Sequence, residues 1–257
     1  MKKRVTRSIV PNLLTLVNLF AGFTAIVHTS NGAFEKAALF IFIASVFDML
    51  DGITARLIKS TSELGVELDS LCDAVSFGVA PSYMLYKVYF YQLGEIGILI
   101  SALPALAGVY RLARFNIQLT SFEDKKYYRG LPIPSSALII ISYIIFFHLS
   151  NLIPELMKPT VIISVTFATS LAMVSNIKYD NLPMPTKKSI KQRPIVFVFF
   201  IIGLIGSIIT MGKFIFPFMV FYLITSAIRH FIMWIKETRG PEDELDETEE
   251  LEPSLFD

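Results

Sequence analysis

Asp48-Met49-Leu50-Asp51-Gly52-Ile53-Thr54-Ala55-Arg56, then Gly65 after eight further residues, then Asp69 and Asp73, marks the junction of two long apolar runs. Asp48 and Asp51 are three apart and Asp69 and Asp73 four apart, so on helices each pair occupies one face. Carboxylates are among the costliest groups to place in or beside hydrocarbon, and four together predict a ligand. At about 6 Å separation and an effective dielectric of about 20, each pair repels by about 3 kcal/mol. That is a large share of the roughly 5–15 kcal/mol that holds a folded protein together. Either several of the four carry protons or divalent cations bridge them, and oxygen donors without histidine favour Mg2+ or Mn2+. Gly52 and Gly65 remove side chains where a ligand must approach the helix backbone, Ala55 keeps that face shallow, and Arg56 offers a forked cation suited to phosphate. Taken singly, the glycines and alanine also read as helix-packing residues and Arg56 as a snorkelling flank.

The rest of the chain is composed for lipid. Of 257 residues, 53% are hydrophobic and 18% charged, with a mean hydropathy of +0.58, more apolar and less charged than an ordinary soluble domain. Eight apolar runs, at residues 11–28, 33–55, 70–91, 95–115, 133–152, 157–176, 194–211 and 214–235, each approach the roughly 20 residues that cross a bilayer. The predicted fold is all-α, a polytopic membrane helix bundle. With the N-terminus inside, the cytoplasmic segments hold 19 of the 23 Lys and Arg residues, and the outer side keeps only Lys36, Lys87, Lys158 and Lys213. That asymmetry predicts both termini in the cytoplasm of a cell-membrane protein. It also sets both Asp pairs at the cytoplasmic ends of the second and third spans, where they can converge. Lys2, Lys3, Arg4 and Arg7 precede the first run as in a signal peptide, but the run is too long for one and reads as a retained span. Cys72 is the only cysteine, which excludes an intrachain disulfide and a thiolate metal cluster. His28, His148 and His230 lie far apart along the chain and give no histidine-based site. The acidic stretch Pro241–Glu250 lacks apolar periodicity and reads as a disordered tail.

The spacing of Asp48, Asp51, Gly52, Ala55, Arg56, Gly65, Asp69 and Asp73 resembles in full the D-x-x-D-G-x-x-A-R-x8-G-x3-D-x3-D signature of the CDP-alcohol phosphotransferases. Four other stretches draw the resemblance toward the members that use serine: Pro11-Asn12-Leu13-Leu14-Thr15-Leu16, Asp69 through Pro81, Arg111-Leu112-Ala113-Arg114-Phe115-Asn116, and Gly130-Leu131-Pro132-Ile133-Pro134. The similarity runs over about residues 8–180. It implies a six-helix catalytic membrane core at residues 1–180, two additional transmembrane helices at 181–235 and the acidic tail at 236–257. It also implies CDP-diacylglycerol as donor, L-serine as acceptor, CMP as leaving group, a pair of Mg2+ or Mn2+ ions, a homodimer and no nucleic-acid partner. Carried over residue by residue, Asp48, Asp51 and Asp69 match metal ligands, and Asp73 matches a ligand that also serves as general base. Gly52, Arg56 and Ser62 fall where the family contacts the CDP moiety, with Gly65 beside them, and Asn12 with Thr15 approximates a further nucleotide contact. Ser62 equally suits the N-cap of the third span.

Serine brings a carboxylate and an ammonium, so its pocket should contain a guanidinium fork. Arg111, Arg114 and Arg129 are the candidates, with Asn116 adding a hydrogen bond, and each arginine also fits ordinary positive-inside flanking charge. Two rival readings stay open. A phosphatidylglycerophosphate or phosphatidylinositol phosphate synthase of the same family would take a phosphorylated acceptor and want more cationic pocket residues. A cation channel or transporter would string its carboxylates along a central path near the midplane.

Overall fold

Hydrocarbon offers no hydrogen-bonding partner, so an apolar run entering it must satisfy its backbone within itself, and this chain does so with helices. The computed structural model describes residues 2–58, 62–120, 128–179 and 194–238. Helix α1 spans Lys2–Ser30 and α2 spans Phe34–Ile58. Between them Gly32, at φ +75°, lets Gly32 N donate to Thr29 O at 3.0 Å and Ala33 N to His28 O at 2.9 Å, a helix end that favours glycine. A third rod runs through α3 (Glu63–Asp73), a π turn (Ala74–Val79) and α4 (Ala80–Val88). A 3-10 turn at Phe90–Leu93 leads into α5, Gly94–Thr120. Next come β1 (Tyr128–Arg129), α6 (Ile133–Tyr143) with a π turn at Ile144–His148, α7 (Lys158–Val174) and β2 (Lys178–Tyr179). Helices α8 (Pro194–Ile209) and α9 (Ile215–Thr238) follow.

All eight predicted runs are helical, and the all-α bundle is as expected. The departures are local. Helix α1 begins at Lys2 and α3 at Glu63, well before the apolar runs, because polar residues continue a helix that the hydropathy has already left. Strands β1 and β2 pair antiparallel, with Tyr128 opposite Tyr179, a two-residue clip that no hydropathy pattern announces. Four stretches, Ile9–Ser30, Phe34–Ala55, Phe90–Ile117 and Ile215–Met233, are long and apolar enough to cross a membrane, and Ile133–His148 and Lys158–Val174 are shorter apolar helices. The distribution of side chains agrees with an integral membrane protein. On α1, Leu13, Leu16, Phe20, Phe23 and Val27 face outward while Thr15 and Asn18 are buried, the reverse of a helix in water.

Contacts between rods give their order. At one end the middle of α1 meets the end of α2 and the end of α3, in the first half of the third rod, through Thr15, Asp51, Asn18 and Asp73, Asn116 of α5 meets Ser70 of α3, and Arg114 of α5 meets the end of α7. At the other end His28 stacks on Phe40, and Tyr143 and His148 pack with Tyr89 and Phe216. Consecutive rods therefore alternate in direction. Helix α9 packs on α6, and α8 packs on α9.

The approach of α1 to the π turn has a steric condition. A Cβ on Gly22 would lie 2.7 Å from Ser76 Cα and 2.8 Å from Ser76 Cβ, closer than packed carbons come. Gly22→Ala is expected to cost about 2 kcal/mol, as overpacking does, and to lower the melting temperature in detergent by about 4–8 °C. An unchanged melting temperature would show that α1 can shift away freely.

Candidate active site

The acidic residues converge. One carboxylate oxygen from each of Asp48, Asp51 and Asp69 lies within 4.8 Å of the others, so α2 and α3 together build a three-carboxylate centre. Asp51 is 5% exposed, and its Oδ2 accepts a hydrogen bond from Thr15 Oγ1 at 2.8 Å. The Thr15 oxygen also lies 3.0 Å from Pro11 O, but its one proton serves one acceptor at a time and the charged one is stronger. Asp73 sits one turn beyond Asp69, is 6% exposed, and accepts from Asn18 Nδ2 through Oδ1 at 3.1 Å.

These donors fit a hard divalent cation. Asp69 Oδ1 is buried with no hydrogen-bond partner, which is costly for a carboxylate unless something positive meets it. Ligands opposite one another on an octahedral Mg2+ are about 4.2 Å apart, twice the usual 2.1 Å bond. A 4.8 Å spread closes onto such an ion with a shift of a few tenths of an ångström, or spans two ions.

Beside the carboxylates lies a cleft of about 110 Å³ lined by Pro11, Asn12, Thr15, Asp51, Gly52, Ala55, Ser62, Gly65, Val66 and Asp69. Five of the six residues expected at the nucleotide, Asn12, Thr15, Gly52, Ser62 and Gly65, are among them. The sixth is Arg56, whose side chain lies outside the described residues. Ser62 is the N-cap of α3, as its alternative reading expected: Gly65 N donates to Ser62 Oγ at 3.1 Å, and Ser62 borders the cleft. At Gly65 an added Cβ would stand 3.1 Å from Ser62 Oγ and 3.2 Å from Asn12 Oδ1, so glycine keeps these two polar groups close.

The four serine candidates are placed differently from one another. Asn116 Nδ2 donates to Ser70 Oγ at 3.0 Å, next in sequence to Asp69. Arg111 is buried on α5. Arg114 donates from Nη1 to Val174 O at 3.0 Å and from Nη2 to Ser175 O at 3.1 Å, meeting the carbonyls left over at the end of α7, and its guanidinium lies over Tyr110 at 5.9 Å. Arg129 is in β1, with its side chain outside the described residues.

Asn18 was not among the residues expected at the site. The signal was present: Asn18 is three residues after Thr15, on the same face of an otherwise apolar run, and a polar amide there needs a partner. Ser76 Oγ donates to Asn18 O at 3.0 Å, tying the π turn to the same point of α1.

Comparison with known proteins bears on what this arrangement does. Residues 8–174 match the family model described as CDP-alcohol phosphatidyltransferase. A CDP-diacylglycerol–serine O-phosphatidyltransferase from Helicobacter pylori strain J99 is 36% identical over 228 residues, covering 88% of this chain and 92% of that protein. One of the same name from Bacillus subtilis is 34% identical over 174 residues, 67% of this chain and 90% of the relative. An archaetidylserine synthase from Methanothermobacter thermautotrophicus is 36% identical over 183 residues, 70% and 73% respectively.

Proposed function

The chain belongs to the CDP-alcohol phosphatidyltransferase family, and from that premise we propose that it is a phosphatidylserine synthase, transferring the phosphatidyl group of CDP-diacylglycerol to the hydroxyl of L-serine with release of CMP. The observation that carries this reading is the three-carboxylate centre opening onto the cleft of Asn12, Thr15, Gly52, Ser62 and Gly65. Serine-using relatives on both bacterial and archaeal sides support the acceptor.

Asp48, Asp51, Asp69 and Asp73 would hold Mg2+ or Mn2+, as two ions. Bound there, the cations would neutralise the pyrophosphate and stabilise the departing CMP. The chain's own residues do the remainder. Thr15 fixes the Asp51 carboxylate, and the glycine-lined cleft with Arg56 receives the phosphate and cytidine. Asp73 takes the proton of the serine hydroxyl as its oxygen attacks the phosphorus of the phosphatidyl group. The new P–O bond forms in line with the bond to CMP, which breaks and carries its electron pair away with CMP. Arg111, buried on α5 at the same end of the bundle, is assigned the serine carboxylate, and Arg114 the carbonyls at the end of α7. The positive-inside charge supports a cytoplasmic setting for this end and both termini, with acyl chains in lipid and serine and nucleotide arriving from water. Residues 1–180 form the catalytic core, 181–235 add two helices, and two copies assemble as a homodimer.

The reading is tested with purified protein in detergent, CDP-diacylglycerol and one of serine, glycerol 3-phosphate or inositol phosphate, with and without EDTA. The expected result is serine-dependent, chelator-sensitive CMP release that Asp73→Asn lowers by about 10²–10⁴-fold, the usual contribution of a positioned base. Equal release with glycerol 3-phosphate would reassign the acceptor. A cation channel is disfavoured because the carboxylates cluster at one end of the helices, beside a cleft.

A further inference from the structure

Asn18 is fully enclosed. A residue kept only for packing at such a place in an apolar helix would be one such as leucine, which has the same branching and no polar atoms to satisfy. Asn18 instead points its amide at a carboxylate, with Nδ2 3.1 Å from Asp73 Oδ1. The acceptor side of the carboxylate fixes which way the amide is turned, since only the NH2 can donate. Its own Oδ1 is buried without a partner, a burden that a packing residue would not carry. The backbone at this point is fastened as well. Ser76 Oγ donates to Asn18 O at 3.0 Å, and Gly22, one turn on, lets Ser76 come that close. Ser76 belongs to the π turn that begins immediately after Asp73, so one short segment supplies both the carboxylate that Asn18 holds and the hydroxyl that holds Asn18.

We propose that Asn18 is a positioning residue for Asp73: its amide pins one carboxylate oxygen and so leaves the other aimed at the acceptor hydroxyl. This rests on the reading of Asp73 as the general base. A carboxylate free to rotate about its last two bonds would spend most of its time misdirected, and a misplacement of about 1 Å at a reacting group costs about 100-fold in rate. Thr15 performs the matching service for Asp51, three residues earlier on the same face. Helix α1 thus contributes two side-chain donors, one for each acidic helix.

The experiment compares Asn18→Leu, Asn18→Ala and Asp73→Asn with the wild type, each purified in detergent. Asn18→Leu keeps the branched shape and removes the donor. It is expected to lower kcat about 100-fold while KM for CDP-diacylglycerol and for serine stays within about threefold. Mn2+ binding without substrates, followed by electron paramagnetic resonance, should also stay within about threefold, because Asp48, Asp51 and Asp69 are untouched and Asp73 keeps its carboxylate. If Asn18→Leu does not fold, Asn18→Ala is judged by the same three readings. A kcat within threefold of wild type overturns the proposal, and so does a parallel collapse of Mn2+ binding and both KM values, which would make Asn18 a fold element. Asp73→Asn separates the two layers. Full activity there refutes the base assignment itself, whereas an inactive Asp73→Asn beside a fully active Asn18→Leu refutes the positioning role alone.

Discussion

Asp69→Asn is expected to lower CMP release by about 10³-fold or more and, in the same protein, to raise the melting temperature measured in EDTA. The two effects have one cause. Asp48, Asp51 and Asp69 bring three carboxylate oxygens within 4.8 Å, and Asp69 Oδ1 is buried with no donor to offset it. Without a cation, neutralising Asp69 removes two repulsions of about 3 kcal/mol each at an effective dielectric of about 20. Asp48 and Asp69 are partly exposed, so solvent screening reduces the gain to about 1–2 kcal/mol, or about 3–6 °C. With the cation present the sign reverses. Wild type should gain stability with rising Mg2+ as any protein does when its folded form alone binds a ligand, and Asp69→Asn should gain little. The loss in rate reflects several kcal/mol of charge stabilisation at the reacting phosphate. Thermal unfolding in EDTA and in Mg2+, set beside CMP release, checks all of it. A variant that melts lower than wild type in EDTA would mean that the carboxylates are not in conflict, and the metal-centre reading would lose its physical basis.

The same centre shows how far a sequence can be read. Asp48 with Asp51 and Asp69 with Asp73 were legible because helical spacing alone puts each pair on one face, and loop charge alone puts both pairs at one end. Gly52 and Gly65 were legible because they stand one residue after Asp51 and four before Asp69. Thr15 and Asn12 came through the resemblance, and the cleft brings them beside Asp51. Asn18 was passed over because its partner is 55 residues away: the apolar run shows that the amide needs a partner, and only the fold shows which. Arg114 shows the opposite difficulty. Its charge and position suit a serine carboxylate, yet the carbonyls it meets belong to α7, about 60 residues on. The π turns at Ala74–Val79 and Ile144–His148 left no mark in the hydropathy, since one extra residue in a turn barely alters a 20-residue run. Periodicity reports faces and ends of helices; which faces meet is decided by tertiary packing.

Gly130→Ala is expected to be strongly destabilising, more so than Arg114→Ala, with a fall in melting temperature of about 6–12 °C. Gly130 has φ +83°, a conformation that costs an alanine about 1–3 kcal/mol. A Cβ there would also press on Met173 O and stand 2.9 Å from Arg114 Nη2 and 3.1 Å from the Met173 carbonyl carbon. Backbone cannot rotate out of the way as a side chain can. The flanking bonds explain why the approach matters: Gly130 N donates to Ile177 O at 2.9 Å and Leu131 N to Ala172 O at 3.0 Å. The segment entering α6 is thus laced to the end of α7, with Arg114 bonding Val174 O and Ser175 O beside it. Strain and clash together come to about 3 kcal/mol, which sets the expected shift. Arg114→Ala strands those two carbonyls and should cost about 2 kcal/mol. Because both changes undo one docking, the double variant should lose less than the sum of the two. Arg114→Ala assayed well below its melting temperature should keep KM for serine within about threefold, because the guanidinium is engaged with α7. A tenfold rise in that KM with the melting temperature unchanged would move the serine carboxylate from Arg111 to Arg114, and the end of α7 would then need another cap.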